Sequence, residues 1–309
     1  MNKDIITIES VSLTYKNTNT KALDDFSLKV RENEILGLVG ESGCGKSTLG
    51  RAIIGLEKFD KGSIFIDGEK IDYSKNNELK NLRENIQMVF QDPYLSLDPS
   101  MSVKNIINEP LKYLKSNLTK EEKEKRILEV MKLIDLDINF LNRKSKEMSG
   151  GQRQRVGIAR ALSITPKVLI CDEPVSSLDV SVQAGILNLL KNLKKDLNLS
   201  MIFISHDLSV VDYIADRVCV MLKGKVCEIG LKKDIFNNAM HPYSKYLLES
   251  VPKLQVESND FITDDMMEIE YNPKGCPFYN RCEIRSEICK KEFPNAKIKS
   301  GHIWYCHNN

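Results

Sequence analysis

Nine consecutive residues carry the first chemical signal. Gly40, Glu41, Ser42, Gly43, Cys44, Gly45, Lys46, Ser47 and Thr48 contain the pattern G-x-x-x-x-G-K-[ST]. The pattern stands after the apolar run 35–39 and before a stretch, 47–56, that reads as helix. Glycines let the backbone curl until several N–H groups face one concavity, a nest for an anion. The helix that follows adds its positive end. Lys46 supplies a mobile point charge for β- and γ-phosphates. Ser47 offers a hydroxyl to Mg²⁺, an ion that keeps several waters and needs few protein ligands. A dinucleotide fingerprint, G-x-G-x-x-G, fails because Thr48 occupies its last glycine position.

A second run, 168–171, is apolar and ends in Asp172 and Glu173. Alone, that string is equally a plain strand end. Paired with the loop at Gly40 it gains meaning, because parallel sheets bind ligands beyond their carboxyl edges. Asp172 is then placed to hold Mg²⁺ through water, and Glu173 to polarise or deprotonate an attacking water.

These residues need a sheet to position them, and the pattern supplies one. Residues 4–15 alternate apolar and polar, as a half-buried strand does. Residues 63–66 and 70–71 flank Asp67-Gly68 and read as a hairpin, so the opening segment is expected to be antiparallel. The runs 168–171 and 201–205 are buried-type strands. Between them Val182, Ile186, Leu189, Leu193 and Leu197 recur at helical spacing, which predicts a βαβ crossover and a parallel sheet.

Residues 92–150 are expected to be a mostly helical insertion. Thr119 and Glu122 form a capping box there, ahead of the stripe Ile127, Val130, Met131 and Ile134. Residues 217–230 read as a hairpin turning at Lys223-Gly224, residues 241–251 as a helix, and the acidic stretch 257–270 as a linker.

Composition narrows the class. The chain has 309 residues, 45 Lys+Arg against 43 Asp+Glu and 41% apolar residues, which suits a soluble globular protein of about two domains. Near-balanced charge argues against a nucleic-acid binder that works by bulk field. Neither a secretory leader nor a run long enough to span a membrane is visible, so a cytosolic location is expected.

A third motif fixes a resemblance. Ser149, Gly150, Gly151 and Gln152 open a helix: Ser149 and Gln152 make a capping box, and the glycines expose N–H groups to a phosphate. With the two motifs above, SGGQRQRVGIARAL, SSLD and ISHDLSVV resemble the signatures of ABC transporter ATPase subunits. The resemblance implies an α/β P-loop NTPase fold. Residues 1–235 would form one nucleotide-binding domain, with a RecA-like core, an antiparallel β-subdomain and a helical subdomain at about 92–160. It implies ATP and Mg²⁺ as ligands, and Gln91 as a residue that meets the Mg²⁺ and relays its state. Glu173 would be the catalytic base and His206 a γ-phosphate contact. Tyr15 matches the position that stacks on adenine, though it also reads as an ordinary strand tyrosine. Asp179 falls in the loop that crosses to the opposite subunit. In this family two subunits sandwich ATP, so Ser149, Gly150, Gly151 and Gln152 would serve the partner's nucleotide.

The segments VFQDPYLSLDPSMSV, EPL, GESGCGKSTLGR and HPYSKYLLESVPK are similar to ATPases of oligopeptide, dipeptide and nickel importers, in their F-type form. Met148, Asp98 and Ser100 depart from that pattern. The resemblance implies a D-type sister subunit or a second copy as sandwich partner. It also implies two separate transmembrane permease subunits, an extracellular solute-binding protein, and a peripheral place at the cytoplasmic face of the membrane. Nickel or another small solute stays open as cargo. A soluble ABC ATPase of DNA repair or translation is disfavoured by the lack of a heptad run. A regulatory iron–sulfur protein with a vestigial ATPase is disfavoured by intact Glu173 and His206.

Residues 236–309 would be an extension ending in Cys276, Cys282, Cys289 and Cys306. Clustered thiols in a reducing compartment favour a soft metal over disulfides. Their spacing leaves an iron–sulfur cluster, zinc and metal-free thiols open. The importer resemblance implies a [4Fe–4S] cluster on these four. His302 and His307 lie near the last cysteine as substitute ligands or surface residues.

Overall fold

The computed structural model describes residues 3–250 and 272–309, and the stretch read as a linker lies outside them. The strands are β1 (Asp4–Tyr15), β2 (Thr20–Arg31), β3 (Ile35–Val39), β4 (Lys61–Ile66), β5 (Glu69–Lys70), β6 (Ile86–Val89), β7 (Val168–Asp172), β8 (Ser200–Ile204), β9 (Arg217–Leu222), β10 (Lys225–Leu231), β11 (Lys297–Lys299) and β12 (His302–Trp304).

They form two sheets. The smaller, in order β2-β1-β4-β5, is antiparallel throughout. The larger runs β11-β12-β10-β9-β3-β8-β7-β6. Its centre is parallel, β9 beside β3, β8, β7 and β6. All residues of β3, β7 and β8 are buried. That explains their unbroken apolar runs, since a parallel sheet is covered on both faces. Helix Lys46–Ile53 follows β3, and helix Val180–Leu197 carries the chain from β7 to the parallel β8. The latter buries Ile186, Leu189 and Leu193 of the expected stripe, while Val182 is half-exposed.

The hairpins at Asp67-Gly68 and Lys223-Gly224 form as expected. Residues 92–150 hold helices Pro93–Ser96, Val103–Tyr113 and Lys120–Leu133 and two 3₁₀ turns. Thr119 and Glu122 make both bonds of their capping box. Among the described residues, no helix is long and apolar enough to cross a membrane.

The C-terminal segment holds one surprise. Strand β12 pairs with β10 through Glu228↔Trp304 and Ile229↔Ile303, so a terminal hairpin extends the main sheet. Strands of three residues give too short a pattern to read beforehand. Buried Glu228 locks this arrangement. It accepts from the N–H groups of Met240 and His241 at 2.7 and 3.0 Å and meets His302 Nε2 at 2.6 Å.

Candidate functional site

The phosphate-type loop leaves β3 and enters helix Lys46–Ile53 through Gly45, whose φ is 105°. A side chain there would be strained by conformation and would strike the Ala22 carbonyl at 2.1 Å from its Cβ. Lys46 is buried. Its Nζ donates to the carbonyls of Gly40 at 2.7 Å and Glu41 at 2.9 Å, and lies 3.6 Å from Cys44 Sγ. The lysine thus arches back over its own loop. Burial pushes the Cys44 thiol pKa up, with Lys46 pulling the other way, so Cys44 is a small packing residue there.

Ser47 and Asp172 come together from opposite ends of the sequence motif set. Ser47 Oγ donates to Asp172 Oδ1 at 2.7 Å. Burial raises the Asp172 pKa, against the pull of Ser47, Arg51 and Lys46. A buried carboxylate with a hydroxyl beside it, next to a nest of N–H groups, is suited to a hard divalent cation.

Glu173 follows at φ 44°, a left-handed turn that swings its side chain off the strand line, and its N–H donates to the Ile204 carbonyl at 3.0 Å. Gln91 Nε2 donates to Glu173 Oε2 at 2.9 Å, and His206 Nδ1 lies 3.1 Å from Oε1. A carboxylate only accepts, so Nδ1 carries the proton. The ends of β6, β7 and β8 therefore bring Gln91, Glu173 and His206 into one contact group, with Asp172 adjacent in sequence.

Other expected residues lie around this centre. Tyr15, partly buried at the end of β1, shares a 3.1 Å hydrogen bond between its hydroxyl and Thr48 Oγ1. Ser149 and Gln152 complete their capping box, Ser149 N–H to Gln152 Oε1 at 3.0 Å and Gln152 N–H to Ser149 Oγ at 3.4 Å. Gly150 and Gly151 pack against Leu178 and Val182, beside Asp179 at the N-cap of helix Val180–Leu197. Ser149 is exposed, and Gly150, Gly151 and Gln152 are half-buried. Two residues outside the expected set touch the loop. Glu41 N–H donates to Tyr243 Oη, and the Glu41 carboxylate pairs with Arg281. The HPY segment that contains Tyr243 was visible as a family mark, but no local pattern links position 243 or 281 to position 41.

All eight cysteines are free thiols, as the reducing reading requires. Cys276, Cys282, Cys289 and Cys306 line one cavity with Phe278, Tyr279 and Pro294. Yet among the described residues no group of three or more His, Cys, Asp or Glu could hold a metal ion. A tetrahedral ion with bonds of about 2.3 Å would draw its sulfurs to about 3.8 Å from one another. The thiols are not gathered in that way, and burial lifts the Cys276 pKa to about 12 and raises that of Cys282. His302 is no ligand, being buried against Glu228, and His307 Nε2 faces the Glu292 carbonyl at 3.1 Å.

Comparison with known proteins agrees with this geometry. The ABC transporter family model matches residues 23–176, and the model of the oligopeptide/dipeptide transporter C-terminal region matches 227–289. The chain is 43% identical over 296 residues to the oligopeptide transport ATP-binding protein AppF of Bacillus subtilis, covering 94% of this chain and 90% of that one. It is 47% identical over 279 residues to OppF of Haemophilus influenzae, covering 89% and 84%. Among solved structures it is similar to cbiO1 of Clostridium perfringens, part of the ABC transporter complex cbiONQ, with a TM-score of 0.69 at 32% identity over 77% of this chain and 92% of that one. It is also similar to a post-hydrolysis dimer of the ATP-binding cassette MJ0796 bound to ADP and Pi, with a TM-score of 0.66 at 32% identity over 74% and 98%. The chain belongs to the ATP-binding subunits of ABC transporters, in the branch that carries the oligopeptide/dipeptide transporter C-terminal region.

Proposed function

We propose that this chain binds MgATP at residues 40–48 and hydrolyses it to drive an importer of oligopeptides through two separate membrane-spanning subunits. The observation that carries the reading is the grip of Gln91 and His206 on Glu173, one residue beyond the Ser47–Asp172 pair. The cargo class follows the names of the relatives AppF and OppF.

Lys46, the loop N–H groups and the helix start hold the β- and γ-phosphates. Ser47 and, through water, Asp172 would hold Mg²⁺, with Gln91 beside them, and the ion would neutralise charge that develops on the phosphates. Glu173 accepts a proton from water as its oxygen bonds to the γ-phosphorus. The bond from that phosphorus to the β–γ bridging oxygen breaks, and ADP leaves with the electron pair. His206, oriented by Glu173, contacts the γ-phosphate. Tyr15 takes the adenine side.

Residues 1–235 are the nucleotide-binding unit in this reading, with helices at about 92–160 directed to the permease, and 236–309 the extension. Ser149, Gly150, Gly151, Gln152 and Asp179 complete the site of a second subunit, a D-type sister or another copy. The four-cysteine pocket holds a [4Fe–4S] cluster, supported by four free thiols on a common cavity. Anaerobically purified protein tests this. Four irons and four labile sulfides per chain are expected, and stoichiometric zinc or no metal overturns it. For the cargo, the ATPase is assembled with its permease and binding protein in vesicles. Hydrolysis stimulated by oligopeptides supports the reading, and stimulation by nickel or another small solute alone refutes it.

A further inference from the structure

The cysteine-bearing segment reaches into the phosphate loop. Arg281 stands one residue before Cys282. Its Nη1 and Nη2 donate to Glu41 Oε1 and Oε2 at 2.7 and 3.0 Å, a parallel two-bond fork. The guanidinium also lies over Phe278 at 5.2 Å, Tyr246 at 5.4 Å and Tyr243 at 5.9 Å. Fully buried Tyr243 accepts the Glu41 N–H at 3.0 Å. Glu41 in turn offers its carbonyl to Lys46 Nζ at 2.9 Å. One loop residue is therefore gripped at both side chain and backbone from the C-terminal segment, and it grips the loop lysine.

An isolated surface ion pair contributes little, and Arg281 and Glu41 are each 36% exposed. This pair differs in three respects. It is bidentate, its cation is boxed by three rings, and a buried hydroxyl holds the same residue's backbone. Those are the conditions under which geometry, rather than charge alone, is specified.

We propose that Arg281 and Tyr243 are positioning residues of the phosphate site, coupling nucleotide affinity to the packing of the four-cysteine segment. This rests on the reading of residues 40–48 as the nucleotide site. Coupling is reciprocal, so bound nucleotide must also tighten the segment.

The test uses the full chain, MgATP titration calorimetry and amide hydrogen exchange over residues 276–306. Arg281→Ala is expected to raise the MgATP dissociation constant about 10-fold, within the usual range of allosteric coupling. Arg281→Lys keeps the charge but not the fork and should recover less than half of that loss on a logarithmic scale. Tyr243→Phe should weaken binding about 5-fold, within the same range of coupling. For Arg281→Ala, KM should rise while kcat at saturating MgATP stays within about two-fold, whereas a merely structural loss would cut kcat with the folded fraction. MgATP should slow exchange of 276–306 in the wild type and not in Arg281→Ala. Glu41→Gln supplies the second variant: combined with Arg281→Ala it should add almost nothing. Equal affinities in wild type and both variants, or tail exchange indifferent to nucleotide, overturns the proposal. A wild type that binds no MgATP overturns the nucleotide reading itself, which is a different result.

Discussion

Gln91 and Glu173, 82 positions apart, meet at 2.9 Å through Nε2 and Oε2, while His206 takes the other carboxylate oxygen at 3.1 Å. The contact joins the ends of β6, β7 and β8. It engages both carboxylate oxygens of Glu173 before any substrate arrives. Glu173→Gln should therefore keep the shape and lose the base. MgATP affinity should stay within about three-fold, while single-turnover hydrolysis falls by at least about 10²-fold, the low end of what a positioned base contributes. Phosphate release at a wild-type rate from this variant sinks the assignment.

Lys46 tests a different quantity. Its ammonium is held by the Gly40 and Glu41 carbonyls, within the loop proposed to cradle the β- and γ-phosphates. Lys46→Ala should raise the MgATP dissociation constant by at least about 10-fold, the loss of one charge-assisted contact worth about 1.5–3 kcal/mol. Calorimetry on the isolated chain measures this without a partner subunit. Unchanged affinity contradicts the loop assignment.

The motifs at 40–48, 149–152 and 172–173 were readable from sequence because each pattern is local. The glycine-rich run at 40–48, the apolar run ending in Asp172-Glu173 and the Ser149–Gln152 box each show within a few residues, although the Ser47–Asp172 contact itself spans 125 positions. Apolar patterning found β1, with its near-alternation, and β3, β7 and β8, which are buried throughout. The helix Asn76–Asn85, which buries only Leu82, carried a weak pattern and was not foreseen, and neither was strand β2, Thr20–Arg31, although Phe26, Leu28 and Val30 alternate there. The pairing of β12 with β10 and the grip of Arg281 on Glu41 join residues 74 and 240 positions apart, which no local spacing encodes. The cysteines are a different case. Their residue type suggested a ligand set, but type does not set distance.

Glu228 is the hinge of the tail's attachment, fully buried with three polar partners. Glu228→Gln replaces one acceptor oxygen by an NH₂ group that faces an N–H donor or the His302 ring. The expected cost is about 1–3 kcal/mol, from partners left unsatisfied in a buried site. Limited proteolysis should cut the C-terminal segment faster, with the nucleotide-binding unit protected as before. A tail as resistant as wild type shows that Glu228 does not hold it.

Gly151 gives the sharpest packing test. An added Cβ would stand 2.4 Å from Val182 Cγ1, and valine is stiff at χ1. Elsewhere in a helix Gly→Ala gains up to about 1 kcal/mol, so the clash must exceed that gain for the sign to reverse. Overpacking of this kind costs about 1–3 kcal/mol. Gly151→Ala should therefore leave denaturant stability unchanged or lowered by up to about 2 kcal/mol. In a Val182→Ala background the same change should stabilise. The coupling between the two substitutions, not either alone, measures how closely the signature helix is pressed onto helix Val180–Leu197. If Gly151→Ala stabilises both backgrounds equally, the two helices have room between them.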